Sequence, residues 1–165
     1  MTYYTYLDTP AGLALLVGDG TVVTGVHWKV FKRAPQVQSE WTEDRAVFTN
    51  VIAQFDEYFA GQRQTFDFAF AFAGTEFQKQ VWNELVKIPF GAKSSYQKIA
   101  STIGRPKAVR AVGTAVGSNP ISIVVPCHRV LTSGGMLGGY AGGVASKKLL
   151  LATEGTSWRG DRDTA

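Results

Sequence analysis

Cys127 is the only cysteine in the chain. It lies in ISIVVPCHRVL (121–131), directly before His128, one of two histidines, and Arg129. A thiol beside an imidazole can support nucleophilic chemistry. The nucleophile is the thiolate, which forms near neutral pH only when a base or a positive charge lowers the thiol pKa from about 8.5. His128 is the candidate base. Adjacent side chains of an extended chain point to opposite sides, so His128 reaches the sulfur only through a bend or a bridging water. Pro126 favours a bend, because it fixes its own φ and lacks an N–H. A carboxylate best orients such an imidazole. The acids in the second half are Glu76 and Glu84 in one helical stretch, Glu154 at the end of KKLLLATEG, and Asp161 and Asp163 in the tail. Glu154 is the best candidate. The competing reading makes Cys127 the small hydrophobic end of a buried strand, with His128 incidental, as is common for lone cysteines.

These residues need elements to hold them. LALLV (13–17), the turn GDG (18–20) and TVVTGVHW (21–28) predict a hairpin. Residues 32–44 are polar, contain Pro35 and read as a loop. Phe48, Val51, Ile52, Phe55 and Phe59 recur at helical spacing before Gly61. TFDFAFAF predicts a strand with Phe66, Phe68, Phe70 and Phe72 on one face, a core or lobe-interface ridge. A lobe boundary is expected near Ala73-Gly74. Thr75 and Gln78 form a capping box for a helix with a stripe of Phe77, Val81, Trp82, Leu85 and Ile88. Ser94 and Gln97 suggest a second box opening SYQKIASTIG. A two-residue link, Gly104-Arg105, then leads to a helix from Pro106 to Gly117. The closing TSWRGDRDTA reads as a frayed polar tail.

Two short helices around a glycine turn suggest helix-turn-helix. The second projects Lys107 and Arg110 from small residues. Charge adds context. Residues 1–72 hold 5 Lys+Arg and 8 Asp+Glu, net −3, and residues 73–165 hold 12 and 5, net +7. A basic second half suits a polyanion, although a solvated lysine-rich surface reads the same way. The chain has 165 residues, 45% hydrophobic and 18% charged, which is a globular composition. No signal peptide is expected, no apolar run is long enough to span a membrane, and the single cysteine cannot form an internal disulfide. A cytoplasmic location is expected.

PCHRV, preceded by GSNPISIV and followed by GGYAGG and LLLATEG, resembles the O6-alkylguanine-DNA alkyltransferase family. SYQKIA and GRPKAVRAVG match the family in the same order, across about Gly74 to Gly155. The first lobe resembles it more loosely, mainly in DEYFAG. The resemblance implies an α+β fold. A small N-terminal ribonuclease H-like α/β lobe (1–73) is followed by a mainly helical, winged-helix-like lobe (74–157) with the helix-turn-helix, then a polar tail (158–165). It implies single-turnover transfer of an alkyl group from O6-alkylguanine in DNA to Cys127. His128 would act through a water, Glu154 would hold its ring, and Tyr96 would protonate the departing guanine. Asn119 would hold the active-site turn. The Val130 carbonyl would accept from the guanine amine, Tyr140 would wall the pocket, and the Ala141 N–H would bond O6. Arg110 would fill the space left by the extruded nucleotide, and Lys107, Ala108, Ala111 and Gly113 would approach the minor groove, with Tyr96 beside them. No cofactor is implied, and the chain is expected to act as a monomer on double-stranded DNA.

Two residues depart from the pattern. Ala141 stands where some relatives have serine, and Ser122 where benzylguanine-sensitive relatives have proline. The first lobe has His27 and no cysteine, so the zinc site of some relatives is not expected. A non-catalytic lesion-binding protein, a helix-turn-helix regulator and a cysteine hydrolase are the alternatives.

Overall fold

The computed structural model describes residues 1–160. The first lobe is built on a four-stranded sheet. Strands β1 (Tyr3–Thr9), β2 (Gly12–Gly18) and β3 (Val23–Trp28) form an antiparallel meander, and the two-residue β4 (Thr42–Glu43) runs parallel to β1. The predicted hairpin is therefore the β2–β3 pair. Its partner β1 and the short β4 have no counterpart in the sequence reading. The tight β1–β2 turn depends on Gly12, whose φ of 137° is open to glycine and strained for other residues. Helix α1 (Thr49–Phe59) follows a 3-10 turn capped by Asp44 and ends before Gly61, which has φ 75°. It buries Val51, Ile52, Phe55 and Tyr58.

The outer edge of β3 connects the first lobe to the second. Val23 pairs with Phe70, and three residues later Val26 pairs with Ile121. TFDFAFAF is therefore no continuous strand. The β3 edge gives it one bridge and then turns to the segment before Cys127. The Gln54 side chain also takes the Asp67 N–H at 2.8 Å. The aromatic ridge nevertheless packs inward. Phe66 and Phe68 meet Phe55, with ring centroids 5.0 and 6.2 Å away, and Phe72 meets Trp82 of the second lobe edge-on at 5.2 Å.

Helix α2 (Glu76–Val86) opens with the expected Thr75–Gln78 capping box and buries Val81, Trp82 and Leu85. The Trp82 indole donates to the Ala115 carbonyl at 2.8 Å, which ties α2 to α4. Fully burying one such large side chain is worth roughly 1.5–3 kcal/mol. Helix α3 (Tyr96–Thr102) is capped by Ser95, one residue later than expected. Ser94 and Ser95 are β5, paired with β6 (Val130–Leu131), so Ser95 is the last extended residue and its Oγ accepts from Lys98 N. Gln97 forms no box, because its amide donates to Ser101 Oγ and to the Pro106 carbonyl. Helix α4 (Val109–Gly117) begins three residues after the predicted start. Pro106 and Lys107 sit in a turn closed by Ala108 N–H to Arg105 O, and the first helical carbonyl is that of Ala108. The link between the two helices is thus longer than Gly104-Arg105.

Helix α5 (Val144–Thr153) completes the second lobe. The chain beyond it is held, not frayed, as far as residue 160. Trp158 packs on Leu131, Leu137 and Leu151, and Arg159 N donates to Gly135 O at 2.9 Å. Asp161 and Asp163 lie outside the described residues. Among the described residues, no helix is long and apolar enough to cross a membrane.

Candidate active site

The run before Cys127 is buried but is not a strand. Ile123 has φ 72°, the one non-glycine residue with positive φ among those described. Val124 N–H donates back to Ser122 O at 2.8 Å across it. A β-branched residue rarely adopts this conformation, which typically costs about 1–3 kcal/mol. The surroundings hold it in place. Asn119 Nδ2 donates to Val125 O at 2.7 Å, Asn119 Oδ1 accepts from Ile121 N at 2.9 Å, and Ser122 N donates to Val26 O of β3. Pro126, with φ −83° and ψ 66°, then turns the chain into a 3-10 turn, Cys127–Arg129. The bend inferred from Pro126 is present.

It does not bring His128 against Cys127. His128 is fully buried, and its Nε2 meets Glu154 Oε2 at 2.7 Å. Among the described residues, its Nδ1 is buried without a hydrogen-bond partner. With Nε2–H given to the carboxylate, Nδ1 is the acceptor. Burial lowers the pKa of His128 and favours this neutral form, although Glu154 opposes the shift.

Glu154 orients the ring, and it does more. Tyr58 Oη donates to it at 2.6 Å, and Arg129 Nε and Nη2 donate at 2.7 and 2.9 Å. Burial pushes its pKa up, but the bonds from His128, Arg129 and Tyr58 outweigh this and hold it at about 2. Arg129 also donates to Ile88 O at 2.6 Å, and Tyr58 comes from α1, so the network spans both lobes. Sequence reasoning assigned no role to either residue. The i, i+2 position of Arg129 after the thiol was a visible cue; Tyr58 stands in DEYFAG, but nothing in the sequence links it to Glu154, 96 residues away.

Cys127 is 5% exposed and borders a cavity of about 520 Å³. Tyr96, Arg110, Gly113, Tyr140 and Ala141 line the same cavity. Lys107 and Ala108 instead border a shallow cleft at the turn before α4, and Ala111 is exposed on that helix. Asn119 and the β6 residue Val130 are buried. Burial raises the thiol pKa, opposed by hydrogen bonding from Asn119, the charge of Lys147 and hydrogen bonding from Tyr140. Burial outweighs them, because a sulfur with so little access to water loses more solvation than these groups restore. Tyr96 is also raised, by burial and by the thiolate charge, so its phenol stays protonated.

Lys147 was missed. It is fully buried on α5, and its Nζ donates to Val130 O at 2.7 Å and to the carbonyls of Leu137 and Gly139. Burial lowers its pKa to about 8. The Val130 carbonyl expected to receive a guanine amine therefore already accepts one bond, and its second lone pair is open to another. Among the described residues no three His, Cys, Asp or Glu side chains cluster as a metal site needs.

Known proteins give this geometry a lineage. Residues 76–156 match the sequence model for the 6-O-methylguanine DNA methyltransferase DNA binding domain, and residues 2–72 match that for its ribonuclease-like domain. The chain belongs to the 6-O-methylguanine DNA methyltransferase family. It is 45% identical over 154 residues to the methylated-DNA–protein-cysteine methyltransferase of Methanosarcina acetivorans, covering 93% of this chain and 99% of that one. The Mycobacterium bovis protein of the same name is 43% identical over 154 residues, with 93% of both chains covered. A crystal structure of the Mycobacterium tuberculosis family member in complex with DNA superposes with a TM-score of 0.86 at 42% identity, covering 92% of each chain. The ribonuclease-like α/β lobe and the helical DNA-binding lobe inferred from the sequence are thus those of the 6-O-methylguanine DNA methyltransferases.

Proposed function

We propose that this chain is a methylated-DNA–protein-cysteine methyltransferase that repairs O6-alkylguanine in DNA by moving the alkyl group to Cys127. The observation that carries the reading is the position of the chain's one thiol. It borders a cavity walled by Tyr96, Arg110 and Tyr140, in front of the buried His128–Glu154 pair.

The O6 substituent of a stacked, paired guanine cannot reach a buried sulfur, so the nucleotide is extruded into the cavity. Arg110, exposed on α4 at the cavity edge, fills the gap left in the duplex. The small residues Ala108, Ala111 and Gly113 let the helix approach the minor groove closely. Lys107, in the turn before the helix, meets phosphate.

His128 Nδ1 takes the Cys127 proton through a bridging water. Glu154, held ionised by Arg129 and Tyr58, stabilises the imidazolium that forms. The thiolate attacks the alkyl carbon in line, an S–C bond forms, and the C–O6 bond breaks with its electron pair going to guanine. Tyr96 supplies a proton to the departing base. Asn119 keeps the strained turn closed, and Val130 O, Tyr140 and Ala141 N–H locate the guanine. A thioether is a poor leaving group and the chain has no second thiol, so each molecule acts once. A single chain carries every group named.

Arg110→Ala tests the extrusion step. Repair of a duplex containing O6-methylguanine should fall far more than reaction with the free base, because only the duplex must be opened. Equal losses on both substrates would remove Arg110 from that role.

A further inference from the structure

Trp28 ends β3 in the first lobe and is 2% exposed. Its Nε1–H donates to Tyr140 Oη at 3.0 Å, and the two rings meet edge-on with centroids 6.2 Å apart. Glycine backbone packs close to the indole. A Cβ built on Gly142 would lie 2.9 Å from its five-membered ring, and one on Gly12 would lie 3.5 Å from its six-membered ring. Tyr140 and Cys127 line the same cavity, and Tyr140 is among the groups that oppose the rise of the thiol pKa.

An indole N–H can only donate, and a phenol has one proton and two lone pairs. Trp28 therefore occupies a lone pair of Tyr140 Oη and leaves the phenol proton for another acceptor. Cys127 shares the cavity wall with Tyr140, and its sulfur is the acceptor inferred for that proton.

We propose that Trp28 is a positioning residue for alkyl transfer, which directs the Tyr140 hydroxyl proton onto the Cys127 sulfur and so stabilises the thiolate. The inference rests on Cys127 being the nucleophile. It gives the first lobe a second part in the chemistry, beside that of Tyr58. Two effects act together. The bond from Trp28 fixes which way the phenol donates, and donation to a phenol oxygen strengthens that phenol as a donor. Tyr140 itself stays protonated, since burial and the thiolate charge both raise its pKa.

Other groups act on the same sulfur. Lys147 faces it from α5, Asn119 from the turn and Tyr96 from α3, with the His128–Glu154–Arg129 network behind. Lys147, with a pKa of about 8, changes charge in the working range, so the contribution of Trp28 must be read as a difference.

The test is the pH dependence of Cys127 alkylation by iodoacetamide, without DNA. Wild type is compared with Trp28→Phe and with protein carrying 3-benzothienylalanine at position 28, which keeps the bicyclic shape and loses the N–H. Both changes are repeated in a Tyr140→Phe background. Loss of the indole donor should move the profile to higher pH by about half a unit to one unit, a roughly three- to tenfold slower reaction below the midpoint. In the Tyr140→Phe background the same change should move nothing. An unshifted profile for the sulfur isostere, or an equal shift without the Tyr140 hydroxyl, would overturn the proposal. Failure of the underlying reading would show separately, as methyl transfer from DNA by Cys127→Ala protein.

Discussion

Glu154→Gln removes one negative charge and little else. The carboxylate side chain is fully buried and accepts from Tyr58, His128 and both Nε and Nη2 of Arg129 at 2.6–2.9 Å. Glutamine keeps the shape but turns one acceptor into a donor that faces donors. It also leaves Arg129, whose side chain is 8% exposed, as a buried cation without its counter-ion. Breaking a buried pair from one side typically costs about 3–5 kcal/mol. Urea unfolding at pH 7 should show a loss of that size. The pH dependence gives a second check. Glu154 has a folded pKa of about 2 against an ordinary value of 4.5, so its contribution is fully present above pH 4.5 and is lost as pH falls through 2. The gap between wild type and Glu154→Gln should therefore close across that window. Methyl transfer should slow as well, because His128 loses the group that orients it. A loss below about 1 kcal/mol at pH 7 would refute the role given to the network.

Tyr96→Phe removes the proposed proton donor from the cavity wall. Single-turnover methyl transfer should slow by about two to four powers of ten with a modest effect on DNA binding, and an unchanged rate would mean that the proton comes from elsewhere. Methylation of Cys127 should itself destabilise the protein. The thioether is a weaker acceptor than the thiolate for the groups that favour that thiolate, Asn119 and Tyr140 among them. A loss of about 1–3 kcal/mol lowers the melting temperature by roughly 2–4 °C per kcal/mol, measured after stoichiometric reaction and removal of the DNA. A melting temperature that holds or rises would contradict this.

The features legible in the sequence were those carried by local pattern. Thr75 with Gln78 marked a helix start because a capping box is complete within four residues. The β2–β3 hairpin and the α1 stripe were visible as periodicity. TFDFAFAF misled because period-two alternation reports which side chains face inward, while a strand also needs a neighbour with free backbone groups. Here the β3 edge turns to Ile121 instead. Pro106 misled because a residue suited to the first helical position need not occupy it once the Gln97 side chain claims its carbonyl. Cys127, Tyr96, Arg110 and Tyr140 were named from motifs, and the structure brings them to one cavity. Tyr58, Trp28 and Lys147 were out of reach. Each resembles an ordinary aromatic or surface lysine until tertiary packing buries it against Glu154, Tyr140 or three backbone carbonyls. The positive φ of Ile123 was invisible as well, since the residue that best tolerates such a turn is glycine.

The central claim is that Cys127 takes the alkyl group from DNA. Intact-mass measurement after mixing the protein with a duplex containing one O6-methylguanine tests it most directly, followed by peptide mapping of the product. The protein should gain the mass of one methyl group, on Cys127, and the duplex should return to guanine in equal amount. Cys127→Ala protein should gain nothing while still binding the duplex. Repair of the duplex with no mass gain, a methyl group on another residue, or more than one guanine restored per molecule would contradict the account.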